Sequence, residues 1–423
     1  MTHSGTRSAA PLPGGITSTS IEEFDLGSPE TFARHDMSAF WRTVRAQRPV
    51  YRQPPRDGVP GFWVVSRFAD ITAVYRDNVR FTSEHGNVLV TLLAGGDSAA
   101  GRMLAVTDGQ RHRDLRNVLL RSFSPRVLQP IAERVRANAR RLLSEAIERG
   151  ECDFARDVAS QIPITTICDL LGVPKADRSF LLTLTKSALS SDERHTDPAA
   201  SAMARNEILL YFGDLVEARR SRPGDDVISV LANSEIGGVP LSDDDVILNC
   251  YSLIIGGDET SRLTMIDSVA TLATRPDEWR RLKEGDATLA AATEETLRWA
   301  TPTMHFGRTT VQDVTVGGER IPAGEIVTLW HASANRDERV FDRPDHFDLG
   351  RTPNQHITFG HGPHFCLGAY LARVEISEML AALRDLTASI QQTGPACRIY
   401  SNLLSGISSL PVQFVAESRR GRR

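Results

Sequence analysis

The sequence contains little cysteine and no long hydrophobic run. Its five cysteines, at positions 152, 168, 250, 366 and 397, are odd in number and include no C-x-x-C pair. This pattern argues against a disulfide framework and favours a reducing compartment. No stretch reaches eighteen consecutive apolar residues, and the residues after Met1 lack the apolar core of a secretory signal. We therefore expect a cytoplasmic protein that does not enter a membrane.

Charge of one sign is also lacking. The formal net charge of the 423 residues is −4, which gives no reason to expect binding to nucleic acid or to an acidic membrane. The composition is that of an ordinary globular protein, with 41% hydrophobic and 24% charged residues. Residues 1–20 are rich in Ser, Thr, Gly and Pro and predict a disordered tail. The basic residues near 418–423 predict a solvated tail.

One cysteine lies in an unusual setting. Three glycines and a proline surround Cys366 between Phe359 and Gly368, and this composition predicts a tight loop. Apolar residues at helical spacing follow from Ala369 to Leu383, so the cysteine lies just before a helix N-terminus. Unpaired N–H groups there stabilise a thiolate, and the glycines allow a broad ligand to approach the backbone. The alternative is a small buried apolar residue, the usual role of a single cysteine.

Two further patterns place polar groups on helix faces. His112 and Arg116 are four residues apart, so they share one face of a helix and could bind a pair of carboxylates. By itself, H-x-x-x-R is more often part of a solvated face. Glu295 and Arg298 form an E-x-x-R pair that can interact on one helix face.

The longest predicted helix begins at Ser242, a good N-cap, and continues to about Thr274, before Pro276. That is roughly 32 residues, or about 48 Å. It is apolar on most faces and should be buried. Adjacent Gly256 and Gly257 cost about 1 kcal/mol each relative to alanine, so we expect either close approach of a ligand or a kink. We predict that Asp258, beside them, is an exposed salt-bridge partner.

Together these motifs resemble the cytochrome P450 family. The loop reads F-G-x-G-x-H-x-C-x-G and resembles its haem-binding loop, and G-G-x-E-T-S at 256–261 resembles its central-helix signature. H-x-x-x-R and E-x-x-R complete the set in the family's order. The resemblance implies a mainly α fold with a small β-region, as a single domain at 21–417. The haem (haem b) would lie between the long central helix and the helix after the cysteine loop.

The resemblance also implies roles for individual residues. Cys366 would be the axial iron ligand, Thr260 would deliver protons to dioxygen, and Glu259 would gate that supply. The residues implied to bind the cofactor are His112, Arg116, Gly256, Arg308, Phe359, His364 and Gly368. Those implied to line the substrate pocket are Ser252, Ile255, Gly256, Thr303, Met304, His305 and Leu404. In the family a later arginine joins the E-x-x-R pair, but here that position is His346. Either His346 completes the network or Arg343 or Arg351 does.

The implied activity is that of a haem-thiolate monooxygenase that hydroxylates or epoxidises a medium-sized organic substrate, free or carrier-bound. We expect a place in bacterial natural-product biosynthesis. Electrons would come from NAD(P)H through a separate ferredoxin reductase and ferredoxin, docking near basic residues such as Arg113 and Arg121. Two alternatives remain: a peroxide-driven or isomerising haem-thiolate enzyme, and a haem protein that binds a ligand without turnover.

Overall fold

The computed structural model describes residues 21–123, 125–189 and 198–417. The predicted tails, residues 1–20 and 418–423, lie outside these ranges. Fifteen α-helices are present in the described part of the chain, and none of them is long and apolar enough to cross a bilayer. They are α1 (Pro29–Arg34), α2 (Ser38–Gln47), α3 (Phe68–Arg76), α4 (Leu89–Leu93), α5 (Gly109–Arg121), α6 (Pro125–Arg149), α7 (Gln161–Leu171), α8 (Arg178–Leu189), α9 (Pro198–Ser221), α10 (Val227–Ala232), α11 (Asp243–Ala273), α12 (Pro276–Glu284), α13 (Leu289–Ala300), α14 (His331–Ala334) and α15 (Ala369–Leu386).

The strands are short and form small sheets. The main sheet has the order β1-β2-β10-β7-β3, with β2 and β10 parallel and the other pairs antiparallel. A second sheet has the order β11-β14-β4, and the other strands form two-stranded pairs. The strands are β1 (Val50–Gln53), β2 (Phe62–Val65), β3 (Phe81–Thr82), β4 (Glu151–Asp153), β5 (Glu235–Ile236), β6 (Val239–Pro240), β7 (His305–Thr310), β8 (Val314–Val316), β9 (Glu319–Ile321), β10 (Ile326–Trp330), β11 (Thr387–Gln392), β12 (Cys397–Arg398), β13 (Ile407–Ser409) and β14 (Pro411–Ala416). The predicted mainly α fold with a small β-region is confirmed.

Helix α11 is the centre of the helical part. Its N-terminus is a capping box, in which the Asp245 N–H donates to Ser242 Oγ and the Ser242 N–H donates to Asp245 Oδ2, each over 3.2 Å. The helix has 31 residues and ends just before Pro276, where α12 begins. It contacts α7, α8, α9, α13 and α15. Its predicted start, end and burial are therefore confirmed.

The apolar core has two parts. One large cluster contains residues of helices α5 through α13 and of α15. Smaller clusters fill the space beneath the main sheet, against α2 and α3. Residues 84–106 contain the short helix α4, whose Leu89 and Leu92 are buried.

Candidate active site

The cysteine loop precedes α15, as the sequence predicts. The N–H of Cys366 donates to the carbonyl oxygen of Phe359 over 2.9 Å, and α15 begins three residues after the cysteine. Gly362 has a φ of +69°, and a Cβ there would lie 2.5 Å from the carbonyl oxygen of Tyr75. Only glycine therefore allows the loop to pack this closely on α3.

Several groups act on the Cys366 thiol. The residue is exposed at the edge of a cavity of about 370 Å³ that is also lined by Arg116 and Arg373. Surrounding protein raises the pKa of the thiol by desolvation, whereas the Gly368 N–H and the charges of Arg116 and Arg373 lower it. Desolvation is the largest contribution, so the net pKa of the thiol is raised, and the Gly368 N–H, Arg116 and Arg373 are the groups that would stabilise a thiolate when a metal binds it.

A group of cationic and donor side chains lies beside the loop. His112 is buried, its ring centroid is 4.3 Å from that of His364, and its Nε2 atom has no hydrogen-bond partner. Burial, followed by the charges of His364 and Arg116, lowers the pKa of His112 to about 4. Arg308 is buried over the ring of Tyr75, at 5.1 Å from its centroid. In the described ranges neither Arg116 nor Arg308 forms an ion pair.

These unpaired donors fit an anionic ligand. The buried Arg308 guanidinium donates to the Gly307 carbonyl oxygen over 2.7 Å but has no counter-charge, and the buried His112 Nε2 atom has no partner. The two propionates of a haem would supply acceptors to both. His364 differs from this pattern because its Nε2 atom already bonds Asp108 Oδ1 over 2.8 Å. Burial alone would raise the pKa of Asp108, but bonds from His364, Thr82 and Ser83 hold it below its usual value. Only Nδ1 of His364 remains for a ligand.

The two glycines of α11 have different environments. A Cβ at Gly257 would lie 3.2 Å from Ile167 Cδ1, so this glycine allows α7 to pack closely. A Cβ at Gly256 would meet no atom within 4 Å. Gly256 therefore marks the open face of α11, on which Ser252 and Thr260 are half-buried. The Thr260 hydroxyl donates to the Gly256 carbonyl oxygen over 3.0 Å, and the α-helix is continuous through both residues.

Glu259 belongs to a buried ion pair that the sequence analysis did not identify. Arg262 Nε donates to Glu259 Oε2 over 2.9 Å, and a second contact joins Arg262 Nη2 to Glu259 Oε1. Both side chains are at most 2% exposed. The sequence could have indicated this ion pair, because residues three positions apart are neighbours on a helix.

Asp258 corrects the prediction of an exposed salt-bridge partner. It is 1% exposed and accepts a hydrogen bond from Thr185 Oγ1 of α8 over 2.8 Å, while its Oδ1 atom has no partner. Burial raises the pKa of Asp258 to about 7, and the charge of Glu259 adds to this shift. Position 258 faces the α8 side of α11 rather than solvent, so its carboxyl group holds a proton near neutral pH.

Replacing Asp258 with asparagine should stabilise the protein above neutral pH. The folded-state pKa lies above the unfolded value of 3.8, so the wild type loses stability as pH rises through about 7. A neutral asparagine does not titrate, and the difference at about pH 8 should approach 4 kcal/mol at most. Urea titrations from about pH 5 to pH 8 measure it. Asp244→Asn, at an exposed position of the same helix, is the control; parallel pH profiles for wild type and Asp258→Asn would contradict the assignment.

Glu375 is a second buried acid that the sequence analysis missed. It lies on α15 and is 2% exposed, and it accepts hydrogen bonds from Ser261 and Thr166. Burial raises the pKa of Glu375 to about 7. The signal was a carboxylate within the apolar periodicity of α15. Asp258 on α11 and Glu375 on α15 are thus two buried acids whose pKa values are raised by burial.

The predicted substrate-pocket residues come from three separated segments. Ser252 and Ile255 are half-buried on α11, and an isolated β-bridge joins Thr303 to Leu404. Thr303 and Leu404 are therefore neighbours although they are about a hundred residues apart in sequence. Met304 is only 4% exposed and packs in the cluster between the main sheet and α2.

His305, which the resemblance implies as a substrate-pocket residue, lies among core residues in this structure. The residue is fully buried, with its ring centroid 4.2 Å from that of Trp330, and neither ring nitrogen has a partner. Burial lowers the pKa of His305 to about 3, so the ring is neutral. In the register of β7 and β10, His305 is opposite Trp330, which draws the ring into the apolar cluster.

The E-x-x-R network is completed by Arg351. Arg298 forms two 2.8 Å bonds to the Glu295 carboxylate, and Arg351 Nε donates to Glu295 Oε2 over 3.0 Å. His346 contributes only its backbone carbonyl oxygen, which accepts from Arg351 Nη2 over 2.8 Å. The third cation thus comes from a position five residues after the one at which the family motif predicts it.

Comparisons with known proteins agree on one family. The family model described as cytochrome P450 matches residues 216–414. The chain is 50% identical to cytochrome P450 NovI of Streptomyces niveus over 94% of this chain and 98% of that protein. It is 33% identical to linalool 8-monooxygenase of Pseudomonas putida, over 93% of this chain and 100% of that protein. Among solved structures, P450 OxyD superposes with a TM-score of 0.85 at 36% identity, covering 93% and 100% of the two chains. OxyD is described as involved in the biosynthesis of vancomycin-type antibiotics.

Proposed function

Because the chain belongs to the cytochrome P450 family of monooxygenases, we propose that it oxidises a medium-sized organic intermediate of bacterial antibiotic biosynthesis. The observation that carries this proposal is the cysteine loop, with an exposed Cys366 at the edge of a cavity that Arg116 and Arg373 also line. The placement in antibiotic biosynthesis is supported by the similarity to NovI and OxyD. The reaction would be hydroxylation or epoxidation.

The family implies a haem, and the chain offers residues to hold it. Cys366 would bind the iron, with Phe359 and the Gly368 N–H beside the sulfur. His112, Arg116 and Arg308 would bind the propionates, and His364 would assist through Nδ1. Gly256 would present α11 without a side chain. When bound, the haem supplies the redox chemistry that activates dioxygen.

On the pocket side, Thr260 would deliver protons and Glu259 would control their supply. The Thr260 hydroxyl lies at the half-buried face of α11, where Oγ1 can pass a proton from solvent toward the reacting centre. Glu259, held by Arg262, can reach the pocket only if that ion pair opens. Ser252, Ile255, Thr303, Met304 and Leu404 would shape the space for a free or carrier-bound substrate.

Electrons would come from NAD(P)H through a separate ferredoxin reductase and ferredoxin. The ferredoxin would dock on the cysteine side of the molecule, where Arg113 and Arg121 of α5 are exposed. Basic side chains attract an acidic carrier over distances comparable to the Debye length.

Replacing Thr260 with alanine should uncouple electron use from product formation. Loss of the hydroxyl removes the proton carrier at the pocket face, so the product formed per NAD(P)H should fall by about tenfold or more. The missing electrons should appear as hydrogen peroxide. Parallel assays of NAD(P)H, peroxide and product measure the effect. Thr264→Ala is the matched control, since Thr264 makes the same bond one turn later, to the Thr260 carbonyl, but is buried. An unchanged product yield in Thr260→Ala would remove its assigned role.

The test of the proposed function is the carbon monoxide difference spectrum of the dithionite-reduced protein, followed by a substrate screen. A Soret band at the red-shifted position from which the family takes its name is expected. Antibiotic precursors, free and carrier-bound, are then tested for a shift of the haem absorption and for an added oxygen atom in the product. A protein without haem, or a band at the unshifted position, would contradict the proposal.

A further inference from the structure

Arg373 is held in a fixed position beside the cysteine loop. It lies on α15, seven residues after Cys366. Its guanidinium makes two bonds to Glu294 of α13, from Nε to Oε1 over 2.6 Å and from Nη2 to Oε2 over 2.9 Å. A third bond joins Nη1 to the carbonyl oxygen of Ala369 over 3.3 Å. A bidentate arginine–carboxylate pair has one preferred geometry, so the cation has little freedom.

The fixed guanidinium lies on an aromatic ring that is joined to the cysteine. Its central carbon is 4.6 Å from the centroid of the Phe359 ring, within the range of a cation–π contact. The carbonyl of Phe359 accepts the N–H of Cys366 over 2.9 Å. Arg373 also lines the cavity at which Cys366 is exposed. The cationic end of the pair, rather than the carboxylate, therefore faces Phe359.

The carboxylate end is held ionised by a second partner. His356 Nε2 lies 3.1 Å from Glu294 Oε2. Burial would raise the pKa of Glu294, but the hydrogen bonds from His356 and Arg373 lower it to about 2. The pair thus keeps a full negative charge on the α13 side and a full positive charge on the loop side across the physiological range.

We propose that Arg373 sets the reduction potential of the haem through its charge and its contact with Phe359. Glu294 holds Arg373 in place. The inference rests on the proposed role of Cys366 as the iron ligand. One-electron reduction adds a negative charge to the haem centre, and a nearby cation stabilises the more negative form. The surroundings of the ligating sulfur are a known means of setting such potentials. Arg373 therefore raises the potential, and Glu294 partly offsets it.

The same helix carries a matched pair for control. Arg136 of α6 binds Glu378 of α15 with the same bidentate geometry, Nε to Oε2 over 3.0 Å and Nη2 to Oε1 over 2.8 Å. The Arg136 side chain is 61% exposed, and neither residue lines the cavity at Cys366. Substitutions there remove an equivalent ion pair without changing the loop.

The experiment is a mediated redox titration of the purified haem-loaded protein, without a redox partner. Arg373→Met should shift the midpoint potential down, because a cation is lost. Glu294→Gln should shift it up, because the remaining guanidinium is less compensated. Arg136→Met and Glu378→Gln should leave it unchanged. If Arg373→Met loses haem, Arg373→Gln takes its place with the same expected sign.

Opposite signs for the two variants distinguish an electrostatic effect from general damage to the loop. An unchanged potential in Arg373→Met, or a downward shift in both variants, would overturn the inference. The reduced carbon monoxide spectrum, recorded for every variant, separates the two proposals. A wild type without the family's band defeats the ligand assignment itself, whereas a normal band with unchanged potentials defeats only the role of Arg373.

Discussion

Cys366→Ser is expected to abolish the family's characteristic carbon monoxide band and to reduce monooxygenase turnover to background. Serine keeps the size of the side chain but replaces a thiolate, the anion that binds iron and donates electron density to it, with a neutral hydroxyl. A loss of at least ~10³-fold is expected, which corresponds to about 4 kcal/mol of transition-state free energy. The difference spectrum and product formation with the identified substrate measure the two effects.

The matched control is another exposed cysteine. Cys397 is exposed on β12, away from the loop, and Cys397→Ser should keep the band and the turnover of the wild type. If Cys366→Ser retained the wild-type band while Cys397→Ser lost it, the ligand assignment would be wrong. Haem content, determined for each protein, ensures that loss of the band is not loss of the cofactor.

Glu295→Gln is expected to destabilise the folded protein by about 3 to 5 kcal/mol. Glu295 and Arg298 are fully buried, and the Arg351 side chain is 8% exposed. Glutamine is nearly isosteric but leaves two buried guanidinium groups without their counter-charge. The loss is a large share of the 5 to 15 kcal/mol that is typical for folded proteins. Chemical denaturation followed by circular dichroism and by haem absorbance measures it.

An exposed pair provides the comparison for this substitution. Glu145 contacts Arg141 over 2.8 Å one turn apart on α6, with the two side chains 48% and 56% exposed. Glu145→Gln should cost less than about 1 kcal/mol because water screens such pairs. Equal costs for the two substitutions would show that burial does not set the strength of the Glu295 network. Arg351→Met should reproduce part of the Glu295→Gln effect, whereas changing the His346 side chain should not.

Local sequence patterns were sufficient for the parts of the site built from neighbouring residues. The glycines around Cys366 predicted the loop, and the apolar period after it predicted α15. The N-cap at Ser242 and the proline at 276 predicted both ends of α11. In each case hydrogen bonds and backbone conformation within a few residues decide the geometry, so a short pattern contains the necessary information.

Contacts between distant segments could not be obtained this way. The buried state of Asp258 depends on Thr185 in α8, and the burial of His305 depends on Trp330 in a neighbouring strand.

Arg351 rather than His346 completes the network because of how the segment that carries both residues packs on α13. That segment lies more than forty residues after α13 in the sequence. The sequence alone was enough to identify the family, the mainly α fold and the resemblance of the cysteine loop to a haem-binding loop. Only the tertiary structure decided which charges are buried and which group compensates each of them, because burial and Coulomb energy depend on neighbours brought together by packing rather than by sequence.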